Sequence, residues 1–409
     1  MHKCPYDGPQ IAPDDQESLT MMPKRRILLT TARWTSARAI LESLGKRGHE
    51  IFLIDSNPLA ASFSSKYCTK SFVCPDVADK ENYVNFALDV MKKEKIDLFI
   101  PISDLDTEYF SEIREEVERY TRLMLASKEL IELARNKDKT YRFCQERGFA
   151  IPRTYFPSSL EEVKQFAEKL SFPCLAKFPK GTGNEGNVYF QKKEWLLGFY
   201  KNLVEKPLWP VIQEFVHGDV AGFSAVCDRG KVLTHFMLQI EYKHSTAAPA
   251  VAYSSTDPNL LAVSKRLIKE LGWTGAINLD FIKGSNEEYK LMEINPRFGG
   301  SICLAYRFGI DLPFVIYCLA FGEPLPSYKT DYEDGRMLRS LFPTELVYCV
   351  KDRRHIPALF TNFFVSGSII DINWDDPKLV LAMVRNSFIE MKEEFVGRFR
   401  MKLASLKSS

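Results

Sequence analysis

The chain has 409 residues, which at roughly 150 residues per domain is room for two or three domains. Its 55 Lys and Arg against 53 Asp and Glu leave a net charge of +2, too little for a whole-chain electrostatic footprint on nucleic acid or anionic lipid. Hydrophobic residues at 45% and charged residues at 26% describe a chain that folds and exclude a disordered one.

Residues 1–23 hold Pro5, Pro9, Pro13, Asp14, Asp15 and Glu17 without an apolar stretch, and read as a mobile tail rather than a secretory signal. From Arg26 the pattern alternates: an apolar run at 27–31, a helical stretch at 36–46 stopped by Gly48, and a second run at 51–54 that ends on Asp55. A helix at 82–93, a strand at 96–102, a helix at 108–119 and a short strand at 123–125 complete a doubly wound unit. Asp55 stands where a dinucleotide-binding domain keeps its ribose acid. The turn Ala32-Arg33-Trp34-Thr35-Ser36 nevertheless has no GxGxxG, and Trp34 adds bulk where a pyrophosphate needs room, so a nicotinamide cofactor is not expected.

Residues 127–147 read as one helix ended by Gly148 and Pro152, with Asn136-Lys137-Asp138-Lys139 near its middle. A helix at 160–170 and a strand at 173–178 lead into the glycine-rich stretch 180–187, preceded by Lys177 and Lys180. Its open backbone amides suit phosphate cover, though a plain hairpin tip gives the same pattern. A strand at 211–216, a hairpin of strands 223–227 and 232–240, and an amphipathic helix at 258–271 follow.

Polar residues then fall on alternate positions in two runs. In 276–282 Asn278 and Asp280 share one strand face while Ile277, Leu279 and Phe281 take the other; in 289–295 Glu293 and Asn295 share a face and Met292 and Ile294 point away. With Gly284-Ser285-Asn286 as the turn, the strands pair antiparallel and set Asp280 nearly opposite Glu293. Facing acids repel unless a cation lies between them, and oxygen donors from Asp, Glu and Asn suit Mg²⁺. Pro296-Arg297-Phe298-Gly299-Gly300-Ser301 follows directly, adding a guanidinium and a hydroxyl in a flexible loop, a combination suited to phosphoryl transfer.

The run Leu291-Met292-Glu293-Ile294-Asn295-Pro296-Arg297, with Asn278-Leu279-Asp280-Phe281 before it, resembles the metal-binding signature of the ATP-grasp superfamily, in particular its carboxylate–amine ligases and carbamoyl-phosphate-synthetase-like members. Asp138-Lys139, Phe172 to Lys177 and Gln213-Glu214-Phe215-Val216 extend the resemblance in the expected order across residues 26–321. The fold it implies is α/β (α+β): a doubly wound pre-ATP-grasp domain at 24–126, a two-lobed ATP-grasp domain at 127–326 with its lid at about 150–215, and a C-terminal α/β extension at 327–409. On this resemblance Lys139 and Lys177 contact ATP phosphates, Gly181, Gly183 and Gly186 form the lid loop, and Glu214, Phe215 and Val216 form the adenine hinge. Asp219 is the nearest acid for the ribose, since Ala221-Gly222 stands near the usual place. Asp280, Glu293 and Asn295 hold the metal, and Arg297 and Ser301 bind the transferred phosphoryl group or the substrate carboxylate. For Lys139 a solvated helix face is the competing reading.

The activity implied is ATP-dependent: ATP with Mg²⁺, or Mn²⁺ in its place, activates a small-molecule carboxylate as an acyl phosphate that an amine or ammonia attacks, forming an amide or peptide-like bond. A nucleotide-binding regulatory protein without turnover, and a kinase of the same fold acting on a hydroxyl, are the alternatives. Nucleic-acid and membrane partners are not expected. The apolar window 302–321 contains Arg307 and Asp311, which excludes a spanning helix. A homodimer stays open. Nine scattered cysteines with no CxxC pair predict reduced thiols in a cytoplasmic protein. The stretch 239–246 reads either as an acceptor-facing loop or as plain surface. In 377–395 the apolar residues recur at helical spacing, as in a helix packed on the body.

Overall fold

The computed structural model describes residues 23–180, 186–203, 209–243, 249–326 and 332–407. Three sheets carry the architecture. The first is fully parallel, built from β1 (Arg26–Leu29), β2 (Glu50–Asp55), β3 (Cys68–Val73), β4 (Leu98–Ile100) and β5 (Arg122–Leu123) in the order β3-β2-β1-β4-β5. Ile27, Leu28 and Leu29 are fully buried, which is why β1 reads as a continuous apolar run: helices cover both faces of a parallel sheet. The helix Thr35–Lys46 packs Ile40, Leu41 and Leu44 into one core with Ile302, Leu304 and Phe314, so this layer and the third sheet share their interior.

The second sheet is small and antiparallel: β6 (Thr154–Tyr155), β7 (Cys174–Lys177), β8 (Asn187–Phe190) and β9 (Val211–Glu214) in the order β6-β9-β7-β8. The helices Leu160–Ala167 and Lys193–Lys201 close its own core around Val163, Leu196 and Tyr200. The third sheet has seven strands. These are β10 (Asp219–Asp228), β11 (Lys231–Lys243), β12 (Pro249–Ser254), β13 (Gly275–Lys283), β14 (Tyr289–Asn295), β15 (Met337–Arg339) and β16 (Ile369–Ile370), ordered β14-β13-β10-β11-β12-β15-β16. One face of β10 (Ala221, Phe223, Ala225) packs on the helix Pro258–Leu271, which Asp257 caps at its start and Gly272 ends at φ +63°.

The structure departs from the sequence reading in several elements. The helix expected over 127–147 is two, Lys128–Arg135 and Lys137–Glu146, because Asn136 leaves helical geometry (φ −109°, ψ 106°) and its side chain caps the amides of Asp138 and Lys139. Strands β3 and β12 were not anticipated; β3 lies at a sheet edge with exposed Thr69, Lys70 and Ser71, so it lacks the apolar pattern. In the C-terminal extension β15 pairs with β12 and so extends the seven-stranded sheet. Its long helix runs over Pro377–Lys407, with Leu379, Ala382 and Met383 buried. Among the described residues no helix is long and apolar enough to cross a membrane, and the described cysteines are free thiols, all buried but the partly exposed Cys68.

Candidate functional site

The hairpin of β13 and β14 sets the acidic residues. Its register pairs Asn278 with Asn295 and Asp280 with Glu293, as alternation required. Asn278 Nδ2 donates to Asp280 Oδ1 at 3.0 Å, so the two side chains share a face. The Ser224 hydroxyl donates to Asn278 Oδ1 at 2.7 Å and lies 2.9 Å from the hydroxyl of buried Ser301. Between Asp280 and Phe281 the register slips by one residue and leaves Met292 without a ladder partner. Its carbonyl accepts the Tyr141 hydroxyl at 2.8 Å instead.

Tyr141 also receives Lys177 Nζ at 3.1 Å, from the last residue of β7. Lys177 is 3% exposed, and burial pulls its pKa down to about 8 against the opposing field of Glu293. Burial and Glu293 push the Tyr141 hydroxyl the other way, well above the usual range, so it stays a neutral hydrogen-bonding group. The cation paired with Glu293 is Lys137, buried, with Nζ 3.3 Å from Glu293 Oε1. Lys139 is not brought to the site: its side chain is half exposed and pairs with Glu132 at 2.5 Å. Two residues along a helix rotate a side chain about 200° around the axis, so Lys137 and Lys139 take opposite sides. The missed signal was Asn136, whose capping role places Lys137 at the helix start, its amide bonded to the Pro179 carbonyl.

Arg297 is held from both sides. Its Nη2 lies 2.9 Å from Asp104 Oδ2 and 3.4 Å from Asn295 Oδ1, and its guanidinium sits 4.8 Å from the Trp34 ring centroid. Burial alone would raise the Asp104 carboxyl; Arg297 and Arg135 outweigh it and hold the group below the usual carboxylate range. Gly299 is required by space, because a Cβ there would stand 2.4 Å from Asn278 Oδ1.

The remaining predicted residues divide. Glu214, Phe215 and Val216 are half-buried at the end of β9; Glu214 accepts the Arg153 amide at 2.9 Å and Lys290 Nζ at 3.2 Å. Burial pushes the Glu214 carboxyl up, but those two donors outweigh it and leave it lowered. Asp219 does not join Asp280. The ladder alternates without a slip from Asp219 to Val226, which puts Asp219 on the face of Ala221 and Phe223 while Gly222, the register partner of Asp280, is on the other. Gly186 is at φ +81°, its carbonyl accepting the Phe178 amide at 3.2 Å. Gly181 and Gly183 lie outside the described residues.

Asp280, Glu293 and Asn295 thus offer two carboxylates and a carboxamide on neighbouring strands. Among the described residues no group of three or more His, Cys, Asp or Glu could hold a metal. An oxygen-only set short of a closed cage fits Mg²⁺, which takes one or two carboxylates and leaves its other positions to phosphate oxygens and water. Two cations beside it suit an anionic ligand.

Residues 234–338 match the family described as ATP-grasp in the biosynthetic pathway with Ter operon, and residues 27–124 match the PylC-like N-terminal domain. The chain is 28% identical to the multifunctional protein CAD of Squalus acanthias over 207 residues, 47% of this chain and 9% of that protein. It is 24% identical to the carbamoyl phosphate synthase large chain of Saccharolobus islandicus over 278 residues, 65% of this chain and 26% of that one. The chain therefore spans about a quarter or less of the length of these curated relatives. The biotin carboxylase–β,γ-ATP complex from Campylobacter jejuni superimposes with a TM-score of 0.63 at 17% identity, covering 78% of this chain and 75% of that one. The parallel-sheet domain thus coincides with the PylC-like match at 27–124, the acidic hairpin lies inside the ATP-grasp match at 234–338, and the chain shares the fold of the superimposed biotin carboxylase.

Proposed function

We propose that the chain is an ATP-dependent carboxylate–amine ligase. The observation that supports this most is buried Lys137 at 3.3 Å from Glu293, with buried Lys177 tied through the Tyr141 hydroxyl to the same strand, which also presents Asn295 and faces Asp280. Lys177 and Lys137 come from different elements and bring two buried positive charges to one strand, an arrangement that suits a triphosphate better than a single acid. Asp280, Glu293 and Asn295 would hold Mg²⁺, which when bound neutralises phosphate charge and aligns the terminal phosphoryl group. A substrate carboxylate oxygen takes that phosphoryl group and ADP leaves. An amine nitrogen then bonds to the acyl carbon as the carbon–oxygen bond to phosphate breaks. Arg297, held by Asp104 and Trp34 beside Asn295, would steady the carboxylate and the departing phosphate. No nucleophilic side chain is needed. The buried thiols near the site are unsuited to that part, Cys144 and Cys74 each being pushed up to about 12, first of all by burial.

The test incubates the full chain with ATP, MgCl₂ and a matrix of small carboxylates and amines, reading ADP release and product mass. Release that needs both substrates, and that disappears in Glu293→Ala with circular dichroism unchanged, is the expected result. ADP release indifferent to the carboxylate, or an unaltered rate in Glu293→Ala, would refute the proposal; release driven by a hydroxyl compound alone would make the protein a kinase.

A further inference from the structure

Exposed apolar surface is concentrated in one part of the molecule. Of the seventeen large apolar side chains left exposed among the described residues, eleven lie between Ile356 and Val396, a clustering that scattered surface residues do not give. Three of them recur every seventh residue on the helix Pro377–Lys407: Leu381 at 69%, Phe388 at 65% and Phe395 at 55% exposure. Seven residues fall only about 20° short of two full turns, so the three form one stripe. The other side of the helix holds it to the body through buried Leu379, Ala382, Met383 and Ser387.

Charge follows the same spacing. Lys378, Arg385 and Lys392 each precede a stripe residue by three positions, which sets them about 60° to one side of it. Among the described residues none of the three pairs with a carboxylate; Arg385 Nη2 donates to the Leu59 carbonyl at 2.8 Å, which orients the guanidinium without neutralising it. The acids between Pro377 and Val396 are Glu390, Glu393 and Glu394. Glu390 and Glu393 stand two positions from a stripe residue, about 160° away around the axis, and Glu394 stands about 100° from Phe395. The near-neutral charge of the whole chain hides this separation, so the argument from it against a membrane partner does not reach a single helix face. Beyond Glu394 the sequence keeps the same sign, with Arg398, Arg400, Lys402 and Lys407 and no acid up to residue 409.

A second copy of the helix does not suit this stripe. Face to face, two copies would bring their rows of cations together with no acid between them, and Phe at two of the three positions departs from the Leu, Ile and Val that pack coiled-coil seams. Apolar side chains flanked by unpaired cations on one helix face suit an anionic headgroup layer, where the rings reach the acyl boundary and the long cationic side chains stay at phosphate level. Among the described residues no helix is long and apolar enough to cross a bilayer, and a helix of this kind lies on one instead.

We propose that this face of the helix Pro377–Lys407 docks the protein on an anionic lipid surface, with Leu381, Phe388 and Phe395 entering the boundary between headgroups and acyl chains. The docking needs neither ATP nor the ligase reading.

The test sediments the full chain with vesicles of phosphatidylcholine alone and of phosphatidylcholine with about one third phosphatidylglycerol, and the anionic vesicles should bind about tenfold more tightly. That binding should weaken as NaCl is raised. Leu381→Ser, Phe388→Ser and Phe395→Ser together should weaken it about tenfold with circular dichroism unchanged, since all three side chains are exposed. Lys378→Glu with Lys392→Glu should remove the preference for anionic vesicles, whereas Glu393→Gln on the other side should change binding less than about twofold. Phe388→Trp, a mild change at an exposed site, reads insertion without any loss of function: its emission should move to the blue with anionic vesicles and not with phosphatidylcholine. Equal binding to both vesicles, binding to neither, binding that survives the triple serine variant, or no spectral shift in Phe388→Trp would overturn the proposal. A concentration-dependent dimer that the serine variant abolishes, with no vesicle binding, would overturn it in favour of a second copy on the same face.

Discussion

Lys177 gives the sharpest quantitative consequence. Burial lowers its pKa from 10.5 to about 8 in the folded chain. At 1.36 kcal/mol per pKa unit that is a folding penalty of about 3 kcal/mol, present while the lysine is charged. The sign follows from proton counts: between about 8 and 10.5 the unfolded chain binds more protons than the folded one, so stability rises with pH through that window and the penalty is complete below it. An ATP triphosphate beside the ammonium reverses the balance and restores the charged form. If the bound pKa returns to the unfolded value, binding draws about 0.1 proton at pH 7 and about 0.9 at pH 9. Isothermal titration calorimetry in two buffers of different ionisation enthalpy measures the uptake directly. Lys177→Met should abolish it, weaken ATP binding and raise the melting temperature of the free protein. Uptake no larger at pH 9 than at pH 7, or equal uptake in Lys177→Met, would refute the placement of Lys177 against the phosphates.

Three further substitutions separate positions that the sequence alone does not. Lys137→Met should lower ADP release roughly a hundredfold by removing a buried cation from the phosphate site, whereas Lys139→Met, which breaks only a half-exposed pair with Glu132, should change stability by less than about 1 kcal/mol and leave ADP release intact; steady-state rates and thermal melts of both variants decide it. Gly299→Ala drives a methyl into Asn278 Oδ1 and should cost about 1–3 kcal/mol in urea unfolding, with a raised Mg²⁺ requirement because Asn278 bonds Asp280. Tyr141→Phe leaves the Met292 carbonyl and Lys177 without their shared partner and should destabilise by about 1–3 kcal/mol while raising the KM for ATP.

What the sequence disclosed and what it hid follow from range. Alternation is a property of neighbouring residues, so the shared face of Asn278 and Asp280 and their pairing with Asn295 and Glu293 could be read from two short runs. The choice between Lys137 and Lys139 depends on where a helix starts, and that is set by one capping asparagine inside a stretch whose composition is helical throughout. The position of Asp219 has a similar cause: distance along the chain from the hinge suggested it, but parity along β10 sets it on the other face from Asp280, and parity is visible only once the strand is known to begin at residue 219. Tyr141 gave no sign at all. It is one aromatic among 17 tyrosines, and its part comes from a bulge in β14 that lies 151 residues away in sequence.

Arg297 explains why the two matched segments occur as a pair. Taken alone, the acidic hairpin would leave a guanidinium beside Asn295 free to collapse onto Glu293 or Asp280 and compete with a metal for the same oxygens. Asp104 prevents this by holding Arg297 from the parallel-sheet side, and Trp34 covers its face. Asp104 is placed in turn by the start of the helix Asp104–Glu112, where Ser103 and Asp106 form a capping box and Asp106 is anchored by Thr30, Thr31 and Tyr83. Loss of the Asp104 carboxylate would release a buried guanidinium toward the metal oxygens, so Asp104→Asn should weaken Mg²⁺ and substrate binding together although Asp104 touches neither hairpin strand. The parallel-sheet domain therefore does more than stand before the acidic hairpin: it fixes the charge balance of the site it adjoins.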